Sequence, residues 1–248
     1  MFARAARRRR RQRRRRRLAI LLTAAVVAAF GAQHTLFRAV SPARTATVHA
    51  GPSTAAGPPP ARVTAGASRP ELRWADFHGI ELPVSAQAGP LHRQNGLAWG
   101  FTDTPLGAVL AAVNIGVRTA AQWGPEIYQP TITRQVTGPG TWALLAADAS
   151  DYAALRDAAR VAPGQPAGRG YAVEAAYRLA AYNPSAATAD IVTEGPASNG
   201  TTVLAVTRVQ LVWQSGDWRV IAPPGGTWAS SATTAPSMTG FTAFPNER

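Results

Sequence analysis

A block of arginines followed directly by an apolar run is the feature that most constrains how this chain can fold. Arginine fills eleven of the first 17 positions. Residues 18–37 are then apolar, except for Thr23 and the polar residues 33–35. Because about 20 mostly apolar residues are enough to cross a bilayer, the pattern predicts a transmembrane helix over residues 18–37.

The arginine block also predicts how this span is oriented. Positively charged flanks stay in the cytoplasm, so residues 1–17 are predicted to form a cytoplasmic tail, with the C-terminal side extracytoplasmic. Each basic residue near the surface adds about 1 kcal/mol of attraction to anionic lipid. We therefore expect a single-pass protein of the cell (inner) membrane. The membrane-orienting residues are Arg7, Arg8, Arg9, Arg10, Arg11, Arg13, Arg14, Arg15, Arg16 and Arg17.

Two alternatives for the N-terminus stay open. A cleaved signal peptide needs a shorter apolar region and small residues before the cleavage site, which Ala29 and Gly31 could supply. An arginine-rich arm that contacts nucleic acid would use the same block, but it would not explain the apolar span.

The charge of the remaining chain argues against nucleic acid as a partner. The whole chain has 26 basic and 13 acidic residues and a net charge of +13. Without the eleven N-terminal arginines, 15 basic and 13 acidic side chains remain, a net charge of +2. Cysteine is absent, which excludes disulfides, thiolate metal sites and cysteine nucleophiles.

Composition divides the chain after the span. Residues 38–70 are dense in Ala, Thr, Ser, Gly and Pro, which predicts a disordered linker. Residues 71–224 carry the apolar patterns of a folded extracytoplasmic domain. Residues 225–248 are again rich in Ser, Thr, Gly and Pro, and we expect a flexible C-terminal tail.

The first half of the domain predicts helices after an irregular opening segment. Asp103 or Thr104 can cap a helix that has Pro105 in its first turn and apolar residues every three or four positions. Thr141 is a plausible cap for a second helix, which ends at Pro163. A short helical segment is predicted over residues 130–136.

The second half predicts strands over residues 171–181, 188–194, 201–213 and 217–222. Ser215-Gly216 suits a two-residue hairpin loop that would pair Trp213 with Trp218 and, further along, Leu211 with Val220. The same register would pair Val209 with Ala222. Helices followed by antiparallel strands indicate an α+β domain, with the helices packed on a curved sheet.

The sequence contains no convincing catalytic constellation. The glycines at 138 and 140 lack the lysine of a phosphate loop, and no serine lies in a nucleophile-elbow pattern. Asp148 and Asp151 are predicted to be solvated on a helix surface. The histidines lack metal-ligand spacing. They are His34, His49, His78 and His92.

The tryptophans are the remaining candidates for a site. Trp142, Trp213 and Trp218 could line a ligand cavity between helices and sheet, or they could pack in the core, which the sequence favours. We therefore expect no enzyme activity, no cofactor, no metal ion and no small-molecule ligand.

Four segments resemble an uncharacterised actinobacterial family of membrane-anchored proteins associated with conjugative and integrative elements. They are LPVSAQAGP (residues 82–90), GFTDTPLGAVLAAVNIGVRT (100–119), PTITRQVTGP (130–139) and GDWRVIAPPGG (216–226). Because no activity is established for that family, the resemblance implies no catalytic residues.

More distantly, the architecture is similar to the bitopic subunits of type IV secretion and conjugation channels. That resemblance implies an extracytoplasmic domain with a nuclear-transport-factor-like cone fold and a role as a non-enzymatic scaffold or accessory subunit. Its expected partners are other envelope or channel proteins, or further copies of itself. A domain of this fold that binds a small molecule or acts as an enzyme is the alternative, and nucleic-acid contact through the arginine tail is a third.

Overall fold

The computed structural model describes residues 71–170, 172–197 and 201–245. The predicted cytoplasmic tail, transmembrane helix and linker lie in residues 1–70, outside the described residues. Within the described part, no helix has both the length and the apolar character needed to cross a membrane.

Two small hairpins open the domain, where the sequence predicted an irregular segment. Strand β1 (Arg73–Phe77) pairs with β2 (Ile80–Val84), and β3 (His92–Gln94) pairs with β4 (Leu97–Trp99). Both turns place two consecutive residues at positive φ, His78-Gly79 in the first and Asn95-Gly96 in the second. Such turns match the right-handed twist of the paired strands.

Three α-helices follow in the described chain: α1 (Pro105–Arg118), α2 (Pro125–Gln135) and α3 (Thr141–Ala159). The predicted start of α1 is confirmed, since the Thr104 hydroxyl accepts a hydrogen bond from the Gly107 amide at 3.0 Å. Helix α2 begins five residues before the predicted start at Pro130. Pro125 occupies its first turn, where proline is favoured, and Pro130 lies inside the helix. Helix α3 is capped by Gly140 rather than Thr141.

The remaining strands form one mostly antiparallel sheet, so the predicted α+β class is confirmed. Its long strands are β6 (Val173–Asn183), β7 (Ala186–Pro196), β8 (Thr202–Gln214) and β9 (Asp217–Ile221). The short strands are β5 (Val136–Thr137), β10 (Ala232–Ala235) and β11 (Thr242–Ala243). The strand order is β11-β6-β7-β8-β9-β5, with β10 paired to β8 and β5 parallel to β9.

Helix α1 is the centre of the hydrophobic core. It contacts β6, β7, β8 and β9 and is also covered by β2, β4 and α2. Every residue from 107 to 118 is buried, so the helix has no solvent-facing side. Two bulges in β6, near Ala175 and Ala180, interrupt the register with β7. Bulges increase the local twist and bend a strand, which suits a sheet that lies against a central helix.

The C-terminal residues continue the domain beyond Pro224, where the sequence placed its end. Residues 225–245 include β10 and β11, which add to the sheet through β8 and β6. Trp228 is 3% exposed and Phe244 is 2% exposed. The composition of this segment suggested a tail because its few large apolar side chains are widely spaced, yet those side chains are the ones that the fold buries.

Candidate functional site

The three candidate tryptophans do not form one site. Trp142 lies in the first turn of α3 and is 75% exposed, so the prediction that it belongs to a pocket or core is wrong. Trp218 is 1% exposed, and its indole nitrogen donates to the Thr102 carbonyl at 2.9 Å. Trp213 is half-buried and meets Trp218 edge to face, with ring centroids 5.3 Å apart.

The predicted β8–β9 hairpin explains the position of that tryptophan pair. The register pairs Trp213 with Trp218 and Leu211 with Val220, as predicted. The register of the hairpin ends at Leu211 and Val220, so the predicted pair of Val209 and Ala222 is not part of it. The Ala222 amide points to the other neighbouring strand, where it donates to the Thr137 carbonyl of β5 at 2.8 Å. The pair therefore packs on the helix-facing side of the sheet rather than lining an open cavity.

The space between α1 and the sheet is filled by side chains. The predicted apolar periodicity of α1 is carried by Leu106, Val109, Leu110, Val113 and Val117. The last four are 0–1% exposed, and Leu106 is half-buried. Opposite them, Val209, Leu211 and Ile191 are also 0–1% exposed. The described part of the chain thus has a packed interior where a cone-shaped fold could hold a ligand.

Two carboxyl groups of the described residues are buried without a charged partner. Glu174 of β6 is fully buried, with the Thr193 hydroxyl 3.4 Å from its Oε2 atom and no partner for Oε1 among the described residues. Burial raises the pKa of Glu174 to about 8, although the Thr193 hydrogen bond opposes the rise.

Asp148 corrects a second prediction, because it is buried rather than solvated. Helix α3 turns Leu144, Asp148 and Tyr152 inward, each four residues after the last. Asp148 is 7% exposed, and its Oδ2 atom has no hydrogen-bond partner within the described chain. Burial, reinforced by Asp151, raises the pKa of Asp148 to about 8. The sequence spacing predicted a different apolar face, formed by Trp142, Leu145, Ala149, Tyr152, Leu155 and Ala159. Of these residues Tyr152 is buried, whereas Trp142 and Ala149 are exposed, so the predicted rotation of α3 is wrong.

The described chain has a polar cavity of about 390 Å³ under the two N-terminal hairpins. Its lining comes from residues 75–77 of β1, Leu82 of β2, residues 93–97 of the second hairpin, and Asn114 and Arg118 of α1. All of these elements lie outside the large sheet. We call this cavity the Arg118 pocket.

Arg118 is the unusual residue of this pocket. It is 4% exposed, and its guanidinium carbon lies 4.2 Å from the centre of the Phe77 ring. Its Nη1 atom donates to the carbonyl and side-chain oxygens of Asn114 at 2.7 and 3.1 Å. Its Nε atom is buried and has no acceptor among the described residues.

The electrostatics of Arg118 are those of a buried charge without a counter-ion. Burial, followed by repulsion from Arg93, lowers the pKa of Arg118 to about 9, so the guanidinium still carries its charge at neutral pH. No carboxylate of the described residues forms an ion pair with it. An unpaired buried charge costs several kcal/mol, so a second group that offsets this cost is chemically attractive here.

The comparisons with known proteins assign a family. Residues 38–243 match the family model described as a domain of unknown function, DUF8175. The chain belongs to the DUF8175 family. No curated protein and no solved structure matches it significantly. The DUF8175 match begins in the predicted linker and includes the C-terminal strands, so it is wider than the predicted domain of residues 71–224.

Sequence reasoning missed the Arg118 pocket in this DUF8175 chain. His78 and His92 lie near it in the fold, but His78 stacks on Trp123 and His92 on Trp99. Among the described residues, no group of three or more His, Asp or Glu could hold a metal ion. The available signal was Asn114 and Arg118, two polar residues four positions apart near the end of an otherwise apolar helix.

Proposed function

We propose that this DUF8175 protein is a non-enzymatic, membrane-anchored envelope protein. It acts as a scaffold or accessory subunit of a conjugation or type IV secretion-like apparatus. The arginine tail lies in the cytoplasm against anionic lipid, residues 18–37 cross the inner membrane, and the α+β domain is extracytoplasmic. There the domain contacts channel proteins or other copies of itself.

The observation that carries this proposal is the packed interior of the sheet. Cone-shaped enzymes and carriers use the space between helices and sheet, and small-molecule sites are commonly concave and enclosed. In this domain α1 fills that space, with residues 107–118 buried throughout. The bulged strand β6 and the central helix α1 support a nuclear-transport-factor-like cone fold. Because side chains fill the space between α1 and the sheet, we infer that the domain functions through its outer surface.

Trp142 is the first surface residue to test for partner contact. It is 75% exposed, and tryptophan is enriched among the residues that dominate protein–protein binding energy. Full-length tagged protein, solubilised from membranes of its native host, should co-purify with other envelope proteins. Trp142→Ser should reduce that recovery, whereas Ala146→Ser, an exposed change on the same helix, should not.

Two results together would contradict the proposed function. One is recovery of a lone monomer from the membrane fraction, and the other is unchanged conjugative transfer in a deletion strain.

A further inference from the structure

A buried arginine with unused donors forms the floor of the Arg118 pocket. A guanidinium has five N–H groups, and the two on Nη1 are already directed at the oxygens of Asn114. Asn114 is itself fixed, because its amide nitrogen donates to the carbonyls of Pro83 and Leu110 at 2.9 and 3.0 Å. Within the described chain, neither Nε nor Nη2 has a hydrogen-bond acceptor, so donors remain for a further group.

The charges around the pocket favour an anion. Arg93 lines the exposed rim and adds a second positive charge. Asp76 is the acidic residue of the lining; it is exposed, and its Oδ1 atom accepts a hydrogen bond from the Gly79 amide at 3.1 Å. With two guanidinium groups and one carboxylate, the described lining has a net positive charge.

The shape and chemistry of the walls favour an organic anion over an inorganic one. Phe77, Leu82 and Leu97 supply apolar surface, and the cavity of about 390 Å³ is large enough for a small molecule. A free phosphate ion would leave those apolar walls unused. The planar guanidinium fork also matches the geometry of a carboxylate.

We propose that the Arg118 pocket binds a carboxylate group, with Arg118 as its charged anchor and Arg93 as the rim charge. The carboxylate belongs to a small organic acid or to the C-terminus of a peptide. The proposal is independent of the envelope role, because the pocket lining includes neither Trp142 nor any other residue of α3.

Thermal unfolding of the full-length protein in detergent tests the proposal. Sodium succinate and N-acetyl-alanyl-alanine represent the two sources of a carboxylate, each titrated at constant ionic strength held with sodium chloride. A saturable rise in Tm with either is the expected result, since a ligand that binds only the folded state stabilises it. The compound that binds with the lower Kd identifies whether the carboxylate comes from a small organic acid or from a peptide C-terminus. Peptide with an amidated C-terminus and sodium phosphate should give no comparable rise.

Substitutions inside and outside the pocket test whether the rise in Tm comes from binding at Arg118. Arg118→Gln should abolish it, and Arg93→Gln should raise the Kd by about two- to five-fold, the effect expected of one exposed charge. Arg134→Gln removes an exposed arginine on α2 outside the pocket and should leave the response unchanged.

Several outcomes would overturn the proposal. These are a wild-type protein without a carboxylate response, a phosphate response as large as that to succinate, or an unaltered response in Arg118→Gln. If Arg118→Gln shows no cooperative unfolding, Arg93→Gln decides, and a Kd equal to that of the wild type overturns the assignment.

Discussion

At the scale of single residues, the domain buries ionisable side chains that its sequence gives no reason to expect inside. Glu174, Asp148 and Arg118 are each less than 10% exposed, and none of them forms an ion pair in the described chain. Asp190 is the contrast, since its buried carboxylate accepts hydrogen bonds from both Arg178 and Arg208. Those bonds outweigh its burial and lower the pKa of Asp190. The free energy of unfolding therefore depends on pH differently at the unpaired Glu174 and Asp148, whose pKa values are raised, than at the paired Asp190, whose pKa is lowered.

Glu174→Gln should stabilise the protein most at high pH. The folded pKa of Glu174 is raised from 4.5 to about 8, so between these values the unfolded chain loses a proton that the folded chain keeps. Stability therefore falls as pH rises through this window, and an uncharged glutamine removes that fall. We expect a gain of at least ~1 kcal/mol at pH 8 that shrinks towards pH 5, measured by urea unfolding.

The matched control for this change is Glu71→Gln, because the Glu71 side chain is 74% exposed. It should show no gain that depends on pH. Parallel stability curves for Glu174→Gln and wild type from pH 5 to pH 8 would contradict the prediction.

At the scale of elements, the C-terminal segment closes the domain. Phe244 packs edge-on to Trp74 and tilted against Tyr177, with ring centroids 6.1 and 4.8 Å away. The Phe244 amide donates to the Ala175 carbonyl, and the Trp74 indole donates to the Pro245 carbonyl. These contacts join the first strand of the domain to its last residues, so a segment with the composition of a tail joins both ends of the domain.

Phe244→Ala should therefore destabilise the domain by roughly 3–5 kcal/mol, the usual cost of truncating a buried phenylalanine. Phe241→Ala is the matched control, since Phe241 is half-exposed and its ring lies under the Arg178 guanidinium at 4.6 Å. That contact is worth about 0.5–1 kcal/mol at an exposed site. Equal losses in the two variants, measured by denaturant unfolding, would show that the C-terminal residues do not close the core.

At the scale of the whole molecule, charge is separated along the chain. Eleven of the 26 basic residues lie in the first 17 positions, and the remainder is close to neutral. A uniformly basic protein would suggest a polyanionic partner, whereas this distribution is typical of a topology signal. We propose that the block sets orientation, while the contacts of the domain set function.

Replacing Arg7 to Arg11 and Arg13 to Arg17 with glutamine should disturb the orientation of the protein in the membrane. Fewer positive charges on the cytoplasmic side weaken the positive-inside bias, so a fraction of molecules should insert with the domain in the cytoplasm. Protease accessibility in intact cells, combined with membrane fractionation, measures that fraction. Replacing Arg73 and Arg93 of the domain in the same way should have no such effect. A fully accessible domain after the N-terminal replacement would exclude the topological role.

Periodicity in the sequence was sufficient for the elements that depend on local interactions. The Thr104 cap, the apolar spacing of α1 and the Ser215-Gly216 turn each act within a few residues, and the structure confirms helix, hairpin and α+β class. The Asn95-Gly96 turn follows the same local rule, since an Asn-Gly pair readily adopts the two positive φ values of such a turn. The predicted span, linker and topology concern residues 1–70, and they stay predictions.

Only the tertiary structure decided which side chains meet across long separations in the chain. Nothing local distinguishes a solvated Asp148 from a buried one on an alanine-rich helix, because the rotation of α3 depends on what packs against it. Likewise, the Arg118 pocket needs two hairpins and a helix end to converge, and Phe244 needs a partner 170 positions earlier, Trp74. The arginine block and apolar run allow a prediction from the sequence because membrane insertion responds to local charge and hydrophobicity, whereas burial is a property of the assembled fold.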